Sequence, residues 1–263
     1  MTQVGERRQP HQAGTEADGK LKSQGGKHLL SRAILRAKER AEIPLIADIK
    51  PISPRDGDLM KQRNPRELAR ALERAGACAL SVVTEPKYFG GQLRMLAEVA
   101  QAVSVPVLRK DFISSAEQIE ESVAAGAAAV LLILATIPDA LLPDLYQRAI
   151  ELDLEAVLEI HTRQELEQAL ALSPHPTIIG INNRDIRNLE KDCGTVRLTE
   201  KLAPLIPDSV VTISESSLRT PEDMRRALDA GADAVLVGTA ILQSDEPAGH
   251  LTDLLSRIRG AGR

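Results

Sequence analysis

One short unit recurs three times in the chain: Ala75-Gly76-Ala77-Cys78-Ala79-Leu80, Ala125-Gly126-Ala127-Ala128-Ala129-Val130 and Ala230-Gly231-Ala232-Asp233-Ala234-Val235. Each copy stands where a helix-spaced apolar pattern stops and a short apolar run begins. A glycine there closes the helix in the left-handed conformation, and small alanines let the chain turn tightly into the next strand. We assign these units a packing role and no chemistry. What they announce is a chain of alternating helices and strands, the pattern of parallel-sheet α/β proteins.

The rest of the sequence keeps that alternation. Strands are expected at Pro44–Lys50, Ala79–Thr84, a run ending at Lys110, Ala129–Leu134, Ala156–Ile160, Thr177–Asn182, Val210–Ser214 and Ala234–Gly238. Helices are expected at Pro65–Ala75, introduced by Asn64 as cap with Pro65 first, then at Leu93–Val103, Ala116–Ala125 and Ala140–Leu152. Arg163–Leu172, Val196–Leu205, Pro221–Ala230 and Gly249–Ile258 complete the set. Eight strands, each followed by a helix, read as a single (β/α)8 TIM barrel. Leu29, Leu30, Ala33, Ile34 and Ala37 recur at helical spacing and predict an extra N-terminal helix over His28–Ala41.

A barrel of this kind commonly takes about 250 residues, so 263 residues fit one domain. Residues 1–27 are polar and are expected to form a mobile tail; residues 28–263 form the barrel domain with its N-terminal helix. A formal charge of −4 provides no basic field for nucleic acid, and no apolar run is long enough to span a membrane. Cys78 and Cys193 follow no metal-ligand spacing, and no signal-peptide core is present. A cytoplasmic protein is expected, monomeric or a weak homo-oligomer, without a metal.

In such barrels, chemistry is done at the C-terminal ends of the strands, where the loops converge. Lys110 stands there, between an apolar strand and a helix that a serine of Ser114-Ser115-Ala116-Glu117 is placed to cap. Asp48, Lys50, Glu159, Asn182, Glu215 and Ser216 stand at the same edge. Alternation puts Asp48 and Lys50 on one face of their strand. One charged residue at a strand end is commonly a solvated rim residue, but several at one edge suggest paired acids and bases with shifted titration. His161, two residues beyond Glu159, is left outside this set, because a lone loop histidine without a legible carboxylate partner is usually structural.

The loops after the seventh and eighth strands begin Glu215-Ser216-Ser217 and Gly238-Thr239-Ala240. Small residues in both let a ligand approach the backbone, which favours a phosphorylated small-molecule substrate. The chain has only two Phe, two Tyr and no Trp, yet Tyr88, Phe89 and Phe112 follow strands two and three. They can wall a flat ligand or pack the loops.

Six segments together resemble the indole-3-glycerol phosphate synthase family: Ala47-Asp48-Ile49-Lys50 with Ser53-Pro54; Ser81-Val82-Val83-Thr84-Glu85 with Tyr88-Phe89-Gly90-Gly91; Leu108-Arg109-Lys110-Asp111-Phe112-Ile113; Leu158-Glu159-Ile160-His161; Gly180-Ile181-Asn182-Asn183-Arg184-Asp185; and Ser214-Glu215-Ser216. The resemblance implies a cofactor-free ring closure in tryptophan biosynthesis. It turns 1-(2-carboxyphenylamino)-1-deoxyribulose 5-phosphate into indole-3-glycerol phosphate, with loss of carbon dioxide and water. By the same resemblance, Lys110 is the general acid, and Glu159 and Lys50 move the protons of dehydration. Asp48, Asn182 and Glu215 orient lysines and substrate hydroxyls. Ser216, Ser217, Gly238 and Thr239 hold the phosphate, while Ser53, Pro54, Phe89 and Phe112 border the anthranilate ring.

Two positions depart from the family pattern: Asp48 stands where the family has Glu, and Ser217 where it favours Gly. They keep two other readings open, a divergent paralogue acting on another phosphorylated sugar derivative and a non-catalytic phosphate-ligand-binding barrel.

Overall fold

The computed structural model describes residues 30–184 and 194–260. The expected tail at residues 1–27 lies outside the described residues, as do Asp185 and Cys193. Eight strands form a closed barrel: β1 Leu45–Ile49, β2 Ala79–Val83, β3 Val107–Lys110, β4 Ala129–Ile133, β5 Glu155–Ile160, β6 Ile178–Asn182, β7 Val211–Glu215 and β8 Ala234–Val237. Every neighbouring pair is parallel, and β1 closes the ring by pairing with both β2 and β8. This is the (β/α)8 barrel the alternation predicts.

The three recurrent units do the turning. Gly76, Gly126 and Gly231 adopt φ of 107°, 84° and 107°, a region open to residues without a Cβ. Just beyond each glycine the chain joins the ladder: Cys78 N–H donates to the Leu45 carbonyl, Ala128 N–H to Val107 and Asp233 N–H to Thr212. Tight floor turns therefore set where each strand begins, and hence which residue arrives at its far end.

The barrel interior is filled by inward side chains, among them Ile46, Leu108, Leu131, Val157, Ile213 and Leu236. Two more come from the N-terminal helix Leu30–Glu39, whose Leu30 and Ile34 are fully buried in the same cluster. Burial of that extent is worth roughly 1.5–3 kcal/mol for each side chain. The Ser31 N–H donates to Glu155 Oε2 at 3.0 Å, and Lys38 pairs with Asp233. Glu155 and Asp233 both lie at the N-terminal ends of strands, so this helix plugs the barrel floor, opposite the mouth.

Elements that the alternation does not predict cluster at the mouth. A hairpin of Ile52–Ser53 and Gly57–Asp58 follows β1, and one-turn helices Pro86–Phe89 and Thr239–Leu242 follow β2 and β8. The expected helix Val196–Leu205 is split into Arg197–Leu202 and a 3-10 turn, Ala203–Leu205. Pro204 has no N–H to continue the α-helical ladder, so the last turn tightens there.

Candidate active site

A cavity of about 270 Å³ opens at the C-terminal ends of the strands. Ten of the residues expected at the site line it: Asp48, Lys50, Phe89, Lys110, Phe112, Glu159, Ser216, Ser217, Gly238 and Thr239. They come from β1, β3, β5, β7 and β8 or the loops after them and after β2, so closure of the barrel alone brings them together.

Lys110 is at the centre of the charge arrangement. Its Nζ stands 3.1 Å from Glu159 Oε2 and 2.7 Å from Glu215 Oε2, with both glutamates fully buried. Asn182 Nδ2 donates to Glu159 Oε1 at 3.1 Å, and Asn182 Oδ1 accepts from the Arg184 N–H at 3.0 Å. Asn182 and Glu215 thus stand behind the pocket wall, each holding a group that lines it. Asn183, pointing the other way, donates to the Glu215 carbonyl at 2.9 Å and accepts from the Thr199 N–H at 3.1 Å. That contact pins the end of β6 to the end of β7.

The residues on either side of Lys110 are held by each other and by the following helix, and Asp111 also lines the cavity. Arg109 donates through Nε to Thr84 Oγ1 at 3.0 Å, through NH1 to the Gln118 carbonyl at 2.7 Å and to Ser122 Oγ at 3.1 Å, and through NH2 to Asp111 Oδ2 at 3.0 Å. Asp111 Oδ1 accepts from the Phe112 N–H at 2.8 Å. Lys110 therefore extends from backbone that cannot easily rotate.

One wall is aromatic. Glu85 caps the helix Pro86–Phe89 by accepting from the N–H groups of Lys87, Tyr88 and Phe89 at 2.9, 2.7 and 3.1 Å. Phe89 is thereby turned inward, its ring centroid 6.4 Å from that of Phe112. Lys50 Nζ lies 5.9 Å from the Phe89 centroid, within cation–π range. Ser53 and Pro54 are not brought to this wall. Ser53 Oγ donates to Asp56 Oδ2 at 2.9 Å and accepts from the Asp56 N–H at 3.1 Å, so the turn consumes the hydroxyl. Arg55 and Asp56 line the cavity instead, with Arg184 and Arg219 on the opposite loops. The residue reading left these cations out, although Arg184 directly follows Asn182-Asn183 at a strand end, the position that marked the others.

The indole-3-glycerol phosphate synthase family model matches residues 3–254. The chain belongs to the indole-3-glycerol phosphate synthase family. It is 48% identical to the indole-3-glycerol phosphate synthase of Thermococcus kodakarensis over 226 residues, covering 86% of this chain and 96% of that one. It is also 48% identical to the Pyrococcus furiosus protein of the same name over 219 residues, 83% of this chain and 93% of the other. The similarity to the one from Halalkalibacterium halodurans is 42% over 210 residues, 80% of each chain.

Within the indole-3-glycerol phosphate synthase framework, the two departures each have a local counterpart. A Cβ on Gly238 would stand 2.8 Å from Asp48 Oδ2 and 3.0 Å from Asp48 Cβ, so the shorter acid packs directly on the loop after β8. The ladder explains this contact, since β1 and β8 pair with Ala47 opposite Val237. Ser216 and Ser217 have φ of 62° and 58°, the left-handed region that costs a side chain about 1–2 kcal/mol. Ser217 offsets part of this cost by accepting from Arg184 Nε at 3.3 Å. Gly194 leaves room for that contact, because a Cβ there would meet Ser217 Oγ at 2.5 Å.

Proposed function

We propose that this chain catalyses the decarboxylating, dehydrating ring closure of 1-(2-carboxyphenylamino)-1-deoxyribulose 5-phosphate to indole-3-glycerol phosphate, as a lyase of tryptophan biosynthesis. The observation that carries the reading is Lys110 Nζ held between Glu159 and Glu215 across the cavity from the Ser216–Ser217 and Gly238–Thr239 loops. On this reading Lys110 supplies the acid and the two loops supply the anion seat that a phosphorylated ketose requires.

In this reading, the phosphate lies against the backbone N–H groups of those two loops, and Phe89 and Phe112 border the anthranilate ring. Lys110 protonates the ketone oxygen while the ring carbon bearing the carboxylate attacks the carbonyl carbon. The new C–C bond forms, the C–CO2 bond breaks, and its electron pair restores the aromatic ring. The hydroxyl formed from the ketone then leaves as water, with Glu159 and Lys50 moving the protons. Asp48, Asn182 and Glu215 hold the lysines and substrate hydroxyls in register, since placement within hydrogen-bond reach governs general acid and base efficiency. No cofactor enters the scheme. The proposed setting is cytoplasmic, with a small phosphorylated partner, no nucleic-acid or membrane partner, and a monomer or weak homo-oligomer. Among the described residues, no helix is long and apolar enough to cross a membrane.

The test is turnover by the purified protein, followed through the ultraviolet absorbance and fluorescence of indole-3-glycerol phosphate. Product formation is expected. Absence of product at high enzyme concentration would select the divergent paralogue, and tight binding of a substrate analogue without turnover would select the binding barrel.

A further inference from the structure

His161 was set aside as a loop histidine without a carboxylate partner; the folded chain supplies two. Its Nε2 faces Glu159 Oε1 at 3.5 Å and its Nδ1 faces Glu165 Oε2 at 3.5 Å. Both contacts are ion-pair distances, neither ring nitrogen makes a hydrogen bond among the described residues, and the side chain is 12% exposed. Glu165 is itself fixed in place. It sits in the first turn of the helix Arg163–Leu170, where Thr162 Oγ1 accepts from its N–H at 3.1 Å. Its carboxylate reaches back to accept from the His161 N–H at 2.5 Å.

These contacts extend the central pairing into one row: Glu215, Lys110, Glu159, His161, Glu165, at successive separations of 2.7, 3.1, 3.5 and 3.5 Å. With the imidazole protonated, charges alternate along the whole row, and Glu159 has a cation against each oxygen. With it neutral, Oε1 keeps the Asn182 amide and loses its positive neighbour. A buried carboxylate is costly unless positive charge and hydrogen bonds compensate it.

We propose that His161 is a positioning residue for Glu159: as an imidazolium it is the second cation of this row and holds the buried carboxylate aimed into the pocket. Burial alone works against a charged ring, but Glu165, Glu159 and Glu215 outweigh it and raise the His161 pKa above the ordinary histidine value. Glu165 responds in the opposite sense. Its burial favours the neutral acid, yet the bonds from His161 and from the Thr162 region hold its carboxyl below the ordinary range. The groups facing the ring are thus Glu159 on its own strand, Glu165 on the following helix and Glu215 from β7, with Lys110 beyond Glu159. Neither the lining of the cavity nor the spacing of the sequence marks His161, because it acts through a second residue.

The inference rests on Glu159 moving protons in the proposed reaction, and the test separates the two claims. The pH profile of kcat is measured for the full-length protein and for His161→Gln, Glu165→Gln and Glu159→Gln. Loss of the imidazolium releases Glu159, so wild-type kcat is expected to fall as pH rises through the raised His161 pKa, whereas His161→Gln is expected to lack that fall and to lie below wild type only on its acid side, with KM little changed. Glu165→Gln keeps the ring but removes one of its anions, which lowers the ring's pKa, so the same fall is expected at lower pH. It also covers the case in which His161→Gln does not fold. Alkaline limbs that superimpose on wild type in the folded variants, or activity lost equally at every pH, would overturn the role of His161. Activity retained by Glu159→Gln would instead overturn the reading of Glu159.

Discussion

Arg109 and Asp111, the two neighbours of Lys110 in sequence, meet each other at 3.0 Å at the end of β3 while Lys110 reaches Glu159 and Glu215. Lys110, the proposed general acid, is thus flanked by a buried ion pair. Arg109→Met would strand Asp111, Thr84 and the Gln118 carbonyl in a buried setting. A loss of about 3–5 kcal/mol is expected in urea denaturation, the scale for breaking a buried ion pair. In the protein that still folds, kcat should fall more than KM rises. Arg109→Lys should recover only part of the loss, since an ammonium cannot reproduce the fork.

Lys110→Ala removes the proposed general acid while leaving both loops and the aromatic wall in place. Turnover should fall by at least about a hundredfold, the usual scale for an acid acting in the transition state. Calorimetric titration with a substrate analogue should show binding largely retained. A variant that turns over at near wild-type rate would remove Lys110 from the mechanism.

Asp48 and Gly238 form a matched contact across the β1–β8 seam. Gly238→Ala must push a carboxylate or the loop backbone aside, and displacement on the order of 1 Å can cost about a hundredfold in rate. Reduced kcat/KM is expected, with KM for the phosphorylated substrate raised. Asp48→Glu should hold or raise activity, and a large loss in steady-state assays would show that the shorter acid belongs to a rearranged geometry.

Glu155 at the barrel floor predicts a pH effect on stability rather than on rate. Burial raises its pKa above the ordinary glutamate value, against the opposing bonds from Ser31 and Leu30. Between the unfolded value near 4.5 and the raised folded one, the native state binds more protons than the unfolded chain. Stability therefore falls as pH rises through that interval. Glu155→Gln keeps an acceptor for the Ser31 N–H without a buried charge. It should be more stable than wild type at neutral pH, and the gain should vanish below about pH 4, as read from thermal midpoints across pH.

How far the amino-acid order reached can be judged at particular residues. The recurrent Ala-Gly-Ala turns and the apolar runs fixed strand number, direction and inward faces, because chain reversal and burial are dictated within a few residues of each turn. Lys110, Glu159, Asn182 and Glu215 were legible for the same reason: a polar residue ending a barrel strand has one edge on which to arrive. Ser53, which the family resemblance sets beside the anthranilate ring, bonds Asp56 within its own turn, a contact that spacing does not show. Arg184 was quoted within a motif but not given a place in the pocket.

The carboxylates that face His161 show the boundary most clearly. Glu165 lies four residues away along the chain, but whether its carboxylate turns back depends on how the helix is capped, and Glu159 is within reach only if both side chains share the inner face. The sequence by itself determined the barrel, its closed order and the set of groups at its mouth, since those follow from periodicity and turn chemistry. Tertiary structure alone decided which charge sits against which, because pairing depends on ångström-scale separations between strands far apart in the chain, and buried charges are stabilised only at such separations.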